Sequence, residues 1–454
     1  MMNNEVHFVG YETFKIETIV TDLFKNNEKV EYLSDEGEII LKHPPFYAES
    51  GGQVADTGYI TGDNFKLEVV DVKKRMDNQH IHKVKVLEGI VHLNDKVIAK
   101  IDIDRRMSIT KNHSVSHVIH QVLNEVLNTN ITQAGAKIYD TFLRFDFTYE
   151  GEINDDIIIK IEKAVNEKIK NDVPTIIEIM SLEEAKKRGI SLTFEDKYGE
   201  IVRVVTIYDS VELCAGTHVK NINEIEKFAV ISLEPRGANV YRITATTSTN
   251  IIPEFEKAIK NYEVEKEKIL NKANNIIDEA KALNIEVAYN LETYDKTLTC
   301  YEDMLKYRES LRQLQKQVKE LEEEFNILKQ QKALEDLTSF KTMIEQINDI
   351  KVIISQINNY DSKILKPIVD KLMIDYDVKF IFLININNGI ISYVARSHDS
   401  LIGKINCGDI IKEVAVKTHG SGGGNATFAQ GGSKLFDNID EIIKSVKNLV
   451  LVTQ

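Results

Sequence analysis

The chain has 454 residues, 43% of them hydrophobic and 28% charged, a formal net charge of −14 and three cysteines. This length exceeds one ordinary hydrophobic core and predicts about two to four domains, while the acidic charge argues against non-specific binding to nucleic acid. The few, scattered cysteines exclude a disulfide framework, and the lack of a long apolar run or a signal-peptide pattern at the start predicts a cytoplasmic chain without a membrane partner.

The first predicted domain, residues 1–103, is rich in β-strands. Short alternating or β-branched runs at 14–20, 37–41 and 66–70 are separated by turn residues. Closure of such strands into a small barrel is the expected architecture. The overall fold class that we predict is α+β.

The second predicted domain, residues 104–250, begins with a helix over 105–127. Its apolar stripe has helical spacing and consists of Met107, Val115, Val118, Ile119, Val122 and Val126. Strand character follows over 131–147 and 201–246, with an amphipathic helix over 153–169 between them. These alternations predict an α+β core.

Two heptad segments follow and predict a coiled-coil arm over residues 251–345. The first runs from Phe255 to Leu283 with Lys266 as its polar break, and the second runs from Met304 to Leu328. Two segments joined by a polar bend predict an antiparallel helical hairpin. Its apolar seam either packs on itself or joins two chains, which would make a homodimer through the arm or the C-terminal module.

The last predicted domain, residues 346–454, is an α/β module. A strand over 351–354, a helix over 363–373, hairpin strands around Asn387-Asn388-Gly389 and a helix over 410–416 come first. A Gly-rich loop over 420–432 and a final helix over 439–449 complete it. The loop lacks the Lys-Ser/Thr ending of a Walker motif, so its amides are better suited to an RNA backbone or a stacked base.

Two pairs of side chains have the spacing of metal ligands. His113 and His117 lie four apart on the predicted helix and therefore share one face. Cys214 and His218 form a second pair of borderline-soft donors. Together the pairs predict a tetrahedral Zn²⁺ site, with His120 as a competing donor.

Several ordered blocks carry a family resemblance. Residues 106–123, the run from Thr132 to Lys137 with residues 143–147, and residues 198–219 ending in Glu-Leu-Cys-Ala-Gly-Thr-His-Val resemble the editing domain of alanyl-tRNA synthetase and the free-standing alanyl-tRNA editing proteins. Residues 46–58 resemble the signature of the barrel that precedes this domain. The arm and the Gly-rich segment resemble the family's C-terminal module, of the DHHA1 type.

The resemblance implies a zinc-assisted hydrolase that deacylates alanine-specific tRNA mischarged with serine or glycine. No class II aminoacylation domain precedes the predicted barrel, so action in trans is expected. The four implied zinc ligands are His113, His117, Cys214 and His218. A serine hydroxyl is discriminated only by a buried hydrogen-bond partner, for which the candidates are Ser116, Thr132 and Gln133.

Two departures from the family pattern leave other functions open. Asn425-Ala426 stands where Arg-Pro is common, and Tyr241 precedes Arg242 where two arginines are usual. A non-catalytic tRNA-binding protein with a structural zinc, and a zinc hydrolase acting on another acyl substrate, are the alternatives. Gly51-Gly52-Gln53 is interpreted as a turn or a close backbone approach, with Gln53 behind the ligands.

Overall fold

The structure is a computed structural model that describes residues 8–75, 79–190, 199–237, 239–335, 337–387, 389–434 and 438–452. Contacts divide the chain into two units, one of Met1–Lys266 with Thr293–Arg312 and the other of Glu267–Glu292 with Gln313–Gln454. The fold is α+β, as predicted. Within the described ranges, none of the helices combines the length and apolar character that a membrane span requires.

A closed β-barrel opens the first unit. The strands of this region are β1 (Lys15–Lys25), β2 (Glu28–Lys29), β3 (Tyr32–Leu33), β4 (Glu36–Leu41), β5 (Gly58–Thr61), β6 (Lys66–Lys74), β7 (His80–Glu88), β8 (Val91–His92) and β9 (Lys96–Ile101), and β3 pairs with β8 outside the barrel sheet. Six of them follow the order β1-β4-β7-β6-β5-β9, and β9 pairs back onto β1, which closes the ring. The predicted barrel is confirmed.

Two histidines are buried on β7, inside the barrel. Their Nδ1 atoms lie 3.1 Å from the carbonyl oxygen of Phe46, for His80, and 3.0 Å from that of Ile39, for His82. Burial lowers the pKa of His80 to about 4 and that of His82 to about 3. Both rings are therefore neutral in the folded barrel at neutral pH.

Mild acid is expected to destabilise this barrel. In the unfolded chain these histidines bind protons near their ordinary pKa of 6.5, so the unfolded state takes up more protons than the folded state below that pH. The free energy of unfolding should thus fall as pH drops from about 6.5 towards 4. Urea unfolding across this range should show a shallower pH slope for His82→Gln than for a His43→Gln control, and equal slopes would contradict the prediction.

The rest of the first unit surrounds a four-stranded sheet. Its elements are α1 (Ile103–Leu127), β10 (Thr132–Ile138), β11 (Leu143–Thr148), α2 (Asp155–Ile169), β12 (Ile176–Ser181), α3 (Leu182–Lys187), β13 (Ile201–Ile207), β14 (Ser210–Leu213), β15 (Phe228–Pro235) and β16 (Val240–Thr247). The sheet order is β10-β11-β16-β15, with β12-β13-β14 as a separate antiparallel sheet. Apolar residues of α1 and α2 pack on the four-stranded sheet. Tyr198, at the start of one quoted motif, lies outside the described residues.

The two long helices of the arm are α4 (Ile251–Ala282) and α5 (Tyr301–Glu335). Within the second unit, most residues of the predicted seam are buried in one cluster, to which Ile277 is added, whereas Leu283 at the end of the first segment is exposed. The buried cluster is Ala273, Ile276, Ile277, Ala280, Leu314, Val318, Leu321 and Phe325. The apolar seam therefore packs on itself within one chain, which is the first of the two predicted alternatives.

The predicted antiparallel hairpin is wrong. Cross-helix ion pairs join Lys272 to Glu322 and Glu279 to Lys329, so both helices advance in the same direction. The segment between them runs back along α5, where the Glu292 amide donates to Gln317. An extended connection over residues 283–300 can span roughly 60 Å, more than the roughly 48 Å of a 32-residue helix, so its length does not enforce an antiparallel return.

The C-terminal module is built on a six-stranded sheet. Its elements are β17 (Ile344–Ile347), β18 (Ile350–Asn358), α6 (Leu365–Tyr376), β19 (Phe380–Asn387), β20 (Ile390–Ser397), α7 (Cys407–Lys417), β21 (Ser421–Gly424), β22 (Phe428–Lys434) and α8 (Ile439–Val452). The order is β17-β18-β19-β20-β22-β21, and β18 and β19 are parallel. One apolar cluster includes residues of α7 and α8, and another includes residues of α6.

The Gly-rich segment of this module differs from its predicted form. The Gly-rich segment is a β-hairpin of β21 and β22 rather than a loop, because its glycines allow the two strands to pair closely. Asn425 forms the turn, and its Oδ1 accepts hydrogen bonds from the amides of Thr427 and Phe428. Asn388, in the other predicted turn, lies outside the described residues.

Candidate metal centre

Helix α1 carries two of the four predicted ligands on one buried face. The helix starts at the Asp102 cap, whose side chain accepts from the amide of Arg105, and ends at Asn128 in the left-handed conformation. The rings of His113 and His117 stack with centroids 5.8 Å apart, as expected for side chains one turn apart. Both residues are buried.

The loop after β14 carries the other two. Arg203 on β13 donates from Nη1 to the carbonyl oxygens of Cys214, at 2.8 Å, and Gly216, at 3.1 Å, which holds the loop in place. A Cβ at Gly216 would lie 2.0 Å from Cε1 of His113. Only glycine therefore permits the loop to approach α1 this closely.

The four predicted ligands meet at one point. Their donor atoms all lie within 4.8 Å of one another, an arrangement that could hold a metal ion. The Cys214 Sγ lies 3.4 Å from Nε2 of His113 and 3.2 Å from Nε2 of His218. The spacing prediction from sequence thus identified four residues that the fold does bring together.

In each of the three histidines, a polar side chain contacts Nδ1, the ring nitrogen on the side away from the other ligands. The partners are Gln53 Oε1 for His113 at 2.7 Å, Glu212 Oε2 for His117 at 2.8 Å and Ser114 Oγ for His218 at 3.3 Å.

Gln53 and Ser114 act as hydrogen-bond acceptors, whereas Glu212 contacts His117 as an ion-pair partner whose alignment is not that of a hydrogen bond. The Gln53 oxygen is identified because it also accepts from the amide of Thr217. The hydroxyl hydrogen of Ser114 is donated to the carbonyl oxygen of Thr110. Nδ1 of His113 and Nδ1 of His218 therefore each carry a proton, which leaves the Nε2 atom of each ring free to face the common point.

The electrostatics of the group favour a thiolate among imidazoles. Burial opposes ionisation of Cys214, but His113 and His218 outweigh burial and hold the pKa of Cys214 well below its ordinary value. Burial also opposes a charge on His117, yet Glu212 and Cys214 raise its pKa to about 10. Burial lowers the pKa of His218 to about 3. The protons shared within the group are those that a bound cation would displace.

A loop of the barrel, which contains Gly51, Gly52 and Gln53, contacts the ligand group. Gly51 and Gly52 both have positive φ, and a Cβ on Gly52 would lie 2.4 Å from the carbonyl oxygen of Ala136 on β10. This confirms the interpretation of the Gly-Gly pair as a turn with a close backbone approach. The turn places Gln53, fully buried, between His113 and Thr217.

The three candidates for the acyl pocket lie in different environments. Ser116 is buried, and its hydroxyl donates to the carbonyl oxygen of His113 at 2.7 Å. Thr132 is exposed at the start of β10. Gln133 is half-buried beside it, and among the described residues its side chain makes no hydrogen bond. Gln133 therefore keeps its polar atoms available for a ligand.

Other polar residues near the centre were not identified from sequence. Glu212 is the principal one, and it accepts from His120 as well as contacting His117. His120 is thereby engaged outside the four-residue group. The only signal in the sequence that could have identified Glu212 is its position two residues before the ligand Cys214. Tyr241 packs on Phe147, and Arg242 forms a bidentate pair with Asp146 at 2.7 Å for both contacts.

Comparisons with known proteins relate three stretches of the chain to described families. The family of class II (A) tRNA synthetases matches residues 1–105, the threonyl and alanyl tRNA synthetase second additional domain matches residues 202–244, and the DHHA1 domain matches residues 349–451. Cys214 and His218 fall within the second stretch.

Curated relatives match almost the whole chain. The alanine–tRNA ligase of Staphylococcus saprophyticus is 34% identical over 98% of this chain and 48% of the ligase, and that of Carboxydothermus hydrogenoformans is 34% identical over 97% and 47%. The enzyme of Halalkalibacterium halodurans is 35% identical over 98% and 47%. The chain spans about half the length of the curated relatives it matches. Among solved structures, the C-Ala domain of Aquifex aeolicus alanyl-tRNA synthetase is 25% identical, with 24% of this chain and 97% of that chain covered and a TM-score of 0.23.

Proposed function

We propose, from the premise that this chain is a relative of the alanyl-tRNA synthetases, that it is a zinc-dependent deacylase of alanine-specific tRNA mischarged with serine, and with glycine as a second substrate. The observation that carries the proposal is the convergence of His113, His117, Cys214 and His218 in a stretch that includes the matched second additional domain. The tRNA-related domains on either side supply the substrate class.

The donor set fits zinc. Zn²⁺ prefers imidazole nitrogens and a thiolate in tetrahedral sites. The group offers three imidazoles, two of which carry their proton on the nitrogen that faces away from the common point, and a cysteine whose pKa is held low. When bound, the ion would supply a Lewis acid for the ester carbonyl or for a water molecule. His113, His117, Cys214 and His218 would hold it.

Selectivity for serine requires a polar partner for one hydroxyl group. Alanine lacks this hydroxyl, so a site that hydrogen-bonds it prefers serine strongly. Gln133 can supply both a donor and an acceptor, and Ser116 can still accept through its oxygen. Thr132, being exposed, would act at the rim of the pocket.

The direct test uses the purified chain with alanine tRNA charged with serine, glycine or alanine. Release of serine that exceeds release of alanine, and that is lost after chelation and restored by zinc, is the expected result. A second candidate is a non-catalytic tRNA-binding protein with a structural zinc, which is favoured by the presence of four donors that can fill a tetrahedron. Zinc content and tRNA binding without any turnover would support that candidate instead.

Gln133→Ala is expected to lower kcat/KM for serine release by about 10-fold or more. This factor corresponds to the loss of about 1.4 kcal/mol of transition-state stabilisation, which is the effect of removing one buried hydrogen bond. Its zinc content should remain that of the parent chain, because the Gln133 side chain lies outside the four-ligand group and, in the described structure, makes no hydrogen bond to any of its members. Thr148→Ala, on the neighbouring strand β11, is a suitable control. Undiminished serine selectivity in Gln133→Ala would remove this residue from the pocket.

A further inference from the structure

One carboxylate lies between two histidines at the edge of the metal centre. Glu212 Oε2 lies 2.8 Å from Nδ1 of His117, and Oε1 lies 2.9 Å from Nδ1 of His120. Ser210 donates a further hydrogen bond to Oε1 at 3.0 Å. The side chains of His117, His120 and Glu212 are 6%, 20% and 14% exposed, so water screens these contacts little.

The second histidine extends the contact to strand β10. Nε2 of His120 lies 2.9 Å from the carbonyl oxygen of Ile131, the residue before β10 begins. Carboxylate and carbonyl oxygens both accept, so both ring nitrogens of His120 donate. The Ile131 amide in turn donates to Asn124 Oδ1 at 2.6 Å. Helix α1 thus holds both polar groups of the Ile131 backbone through two side chains.

The two histidines of this contact serve different groups. His117 presents its Nε2 to the four-ligand group, whereas His120 is directed towards the strand that starts with Thr132 and Gln133. The two carboxylate oxygens of Glu212 contact one ring each. Glu212 is itself two residues before Cys214, so its strand, β14, also delivers a ligand.

We propose that Glu212 is a positioning residue that orients His117 for the metal ion and, through His120, sets strand β10 with Gln133 at a fixed distance from that ion. The second half of this statement rests on the proposed function, because it assigns Gln133 to the acyl pocket. The first half concerns metal binding alone and is testable without any deacylase activity.

Two substitutions at Glu212 test the first half. Glu212→Gln keeps the shape but loses the charge and one acceptor, and Glu212→Asp keeps the charge but is too short to reach both rings. Each should weaken zinc binding by about 10- to 100-fold, the usual effect of losing such an outer partner. Zinc affinity is measured by competition with a chromogenic chelator, and the absorption bands of the cobalt-substituted chain report ligand geometry. Glu183→Gln, an exposed carboxylate on α3, is the matched control.

His120→Gln tests the second half. It should leave the zinc affinity and the cobalt spectrum unchanged while lowering the ratio of kcat/KM for serine over alanine release. Parental zinc affinity and cobalt spectra in both Glu212 variants would overturn the proposal, and so would parental serine selectivity in His120→Gln. Weakened zinc binding in a chain that never releases serine would instead uphold the first half and refute the deacylase function.

Discussion

Cys214→Ala is expected to lower serine release from mischarged alanine tRNA by more than about 100-fold, since loss of a ligand should exceed the roughly 10- to 100-fold effect of losing an outer partner. The Sγ atom lies within 3.4 Å of two Nε2 atoms, and its low pKa makes it the one anionic donor of the group. Without it, three neutral imidazoles face the ion, and the zinc content of the purified chain should fall with the activity.

The measurement pairs serine release with metal analysis of the same preparation. Cys300→Ala is the matched control, because Cys300 is a free and half-buried cysteine outside the four-residue group. Cys214→Ser separates geometry from charge, since its hydroxyl has the position but not the ionisation of the thiol. Full activity in a zinc-free Cys214→Ala chain would exclude the zinc mechanism.

Arg106→Ala is expected to reduce the free energy of unfolding of the first unit by about 3–5 kcal/mol, the usual result of leaving one member of a buried ion pair alone. Arg106 and Asp56 are each 1% exposed. The guanidinium donates to Asp56 and to the carbonyl oxygens of Gly10 and Pro45. The variant leaves the Asp56 carboxylate buried and unpaired against helix α1.

Hydrogen exchange of the barrel strands measures this effect without assuming that the whole chain unfolds in one step. Opening of β5 and β9 should become about 100-fold or more frequent in Arg106→Ala, the equivalent of about 3 kcal/mol. Arg105→Ala is the neighbouring control. The side chain of Arg105 is partly exposed, so its removal should lower the free energy of unfolding by only about 1 kcal/mol. Equal protection in the two variants would show that the buried pair is not what joins barrel and helix.

The metal centre shows which parts of a site can be derived from sequence. The spacing of His113 and His117 is a local property of an α-helix, and that of Cys214 and His218 is a local property of one loop. Such spacings are readable without any knowledge of the fold. The contact between Glu212 and His117 is not, because these residues lie 95 apart in the chain. The sequence indicated that Gln53 lies behind the ligands, but it did not indicate which ring this residue, 60 positions before His113, would contact.

The arm shows that the sequence pattern also leaves the relative direction of two packed helices undetermined. The heptad pattern predicted which faces of α4 and α5 are buried, and the structure confirms those faces. It contains no information on whether the helices run in the same or in opposite directions, because an apolar seam packs in either orientation. The ion pairs Lys272–Glu322 and Glu279–Lys329 show the direction, and each joins residues 50 apart in the chain.

By itself, the sequence determined the long helices, the β-rich character of the barrel, the four ligand candidates and the resemblance to alanyl-tRNA synthetases, all of which depend on short periodicities or contiguous motifs. Only the tertiary structure decided the parallel course of the arm and the hairpin form of the Gly-rich segment. It also decided which side chain contacts Nδ1 of each histidine ring. These features arise from contacts between residues distant in the chain, whose closeness depends on packing and chain reversal rather than on local spacing.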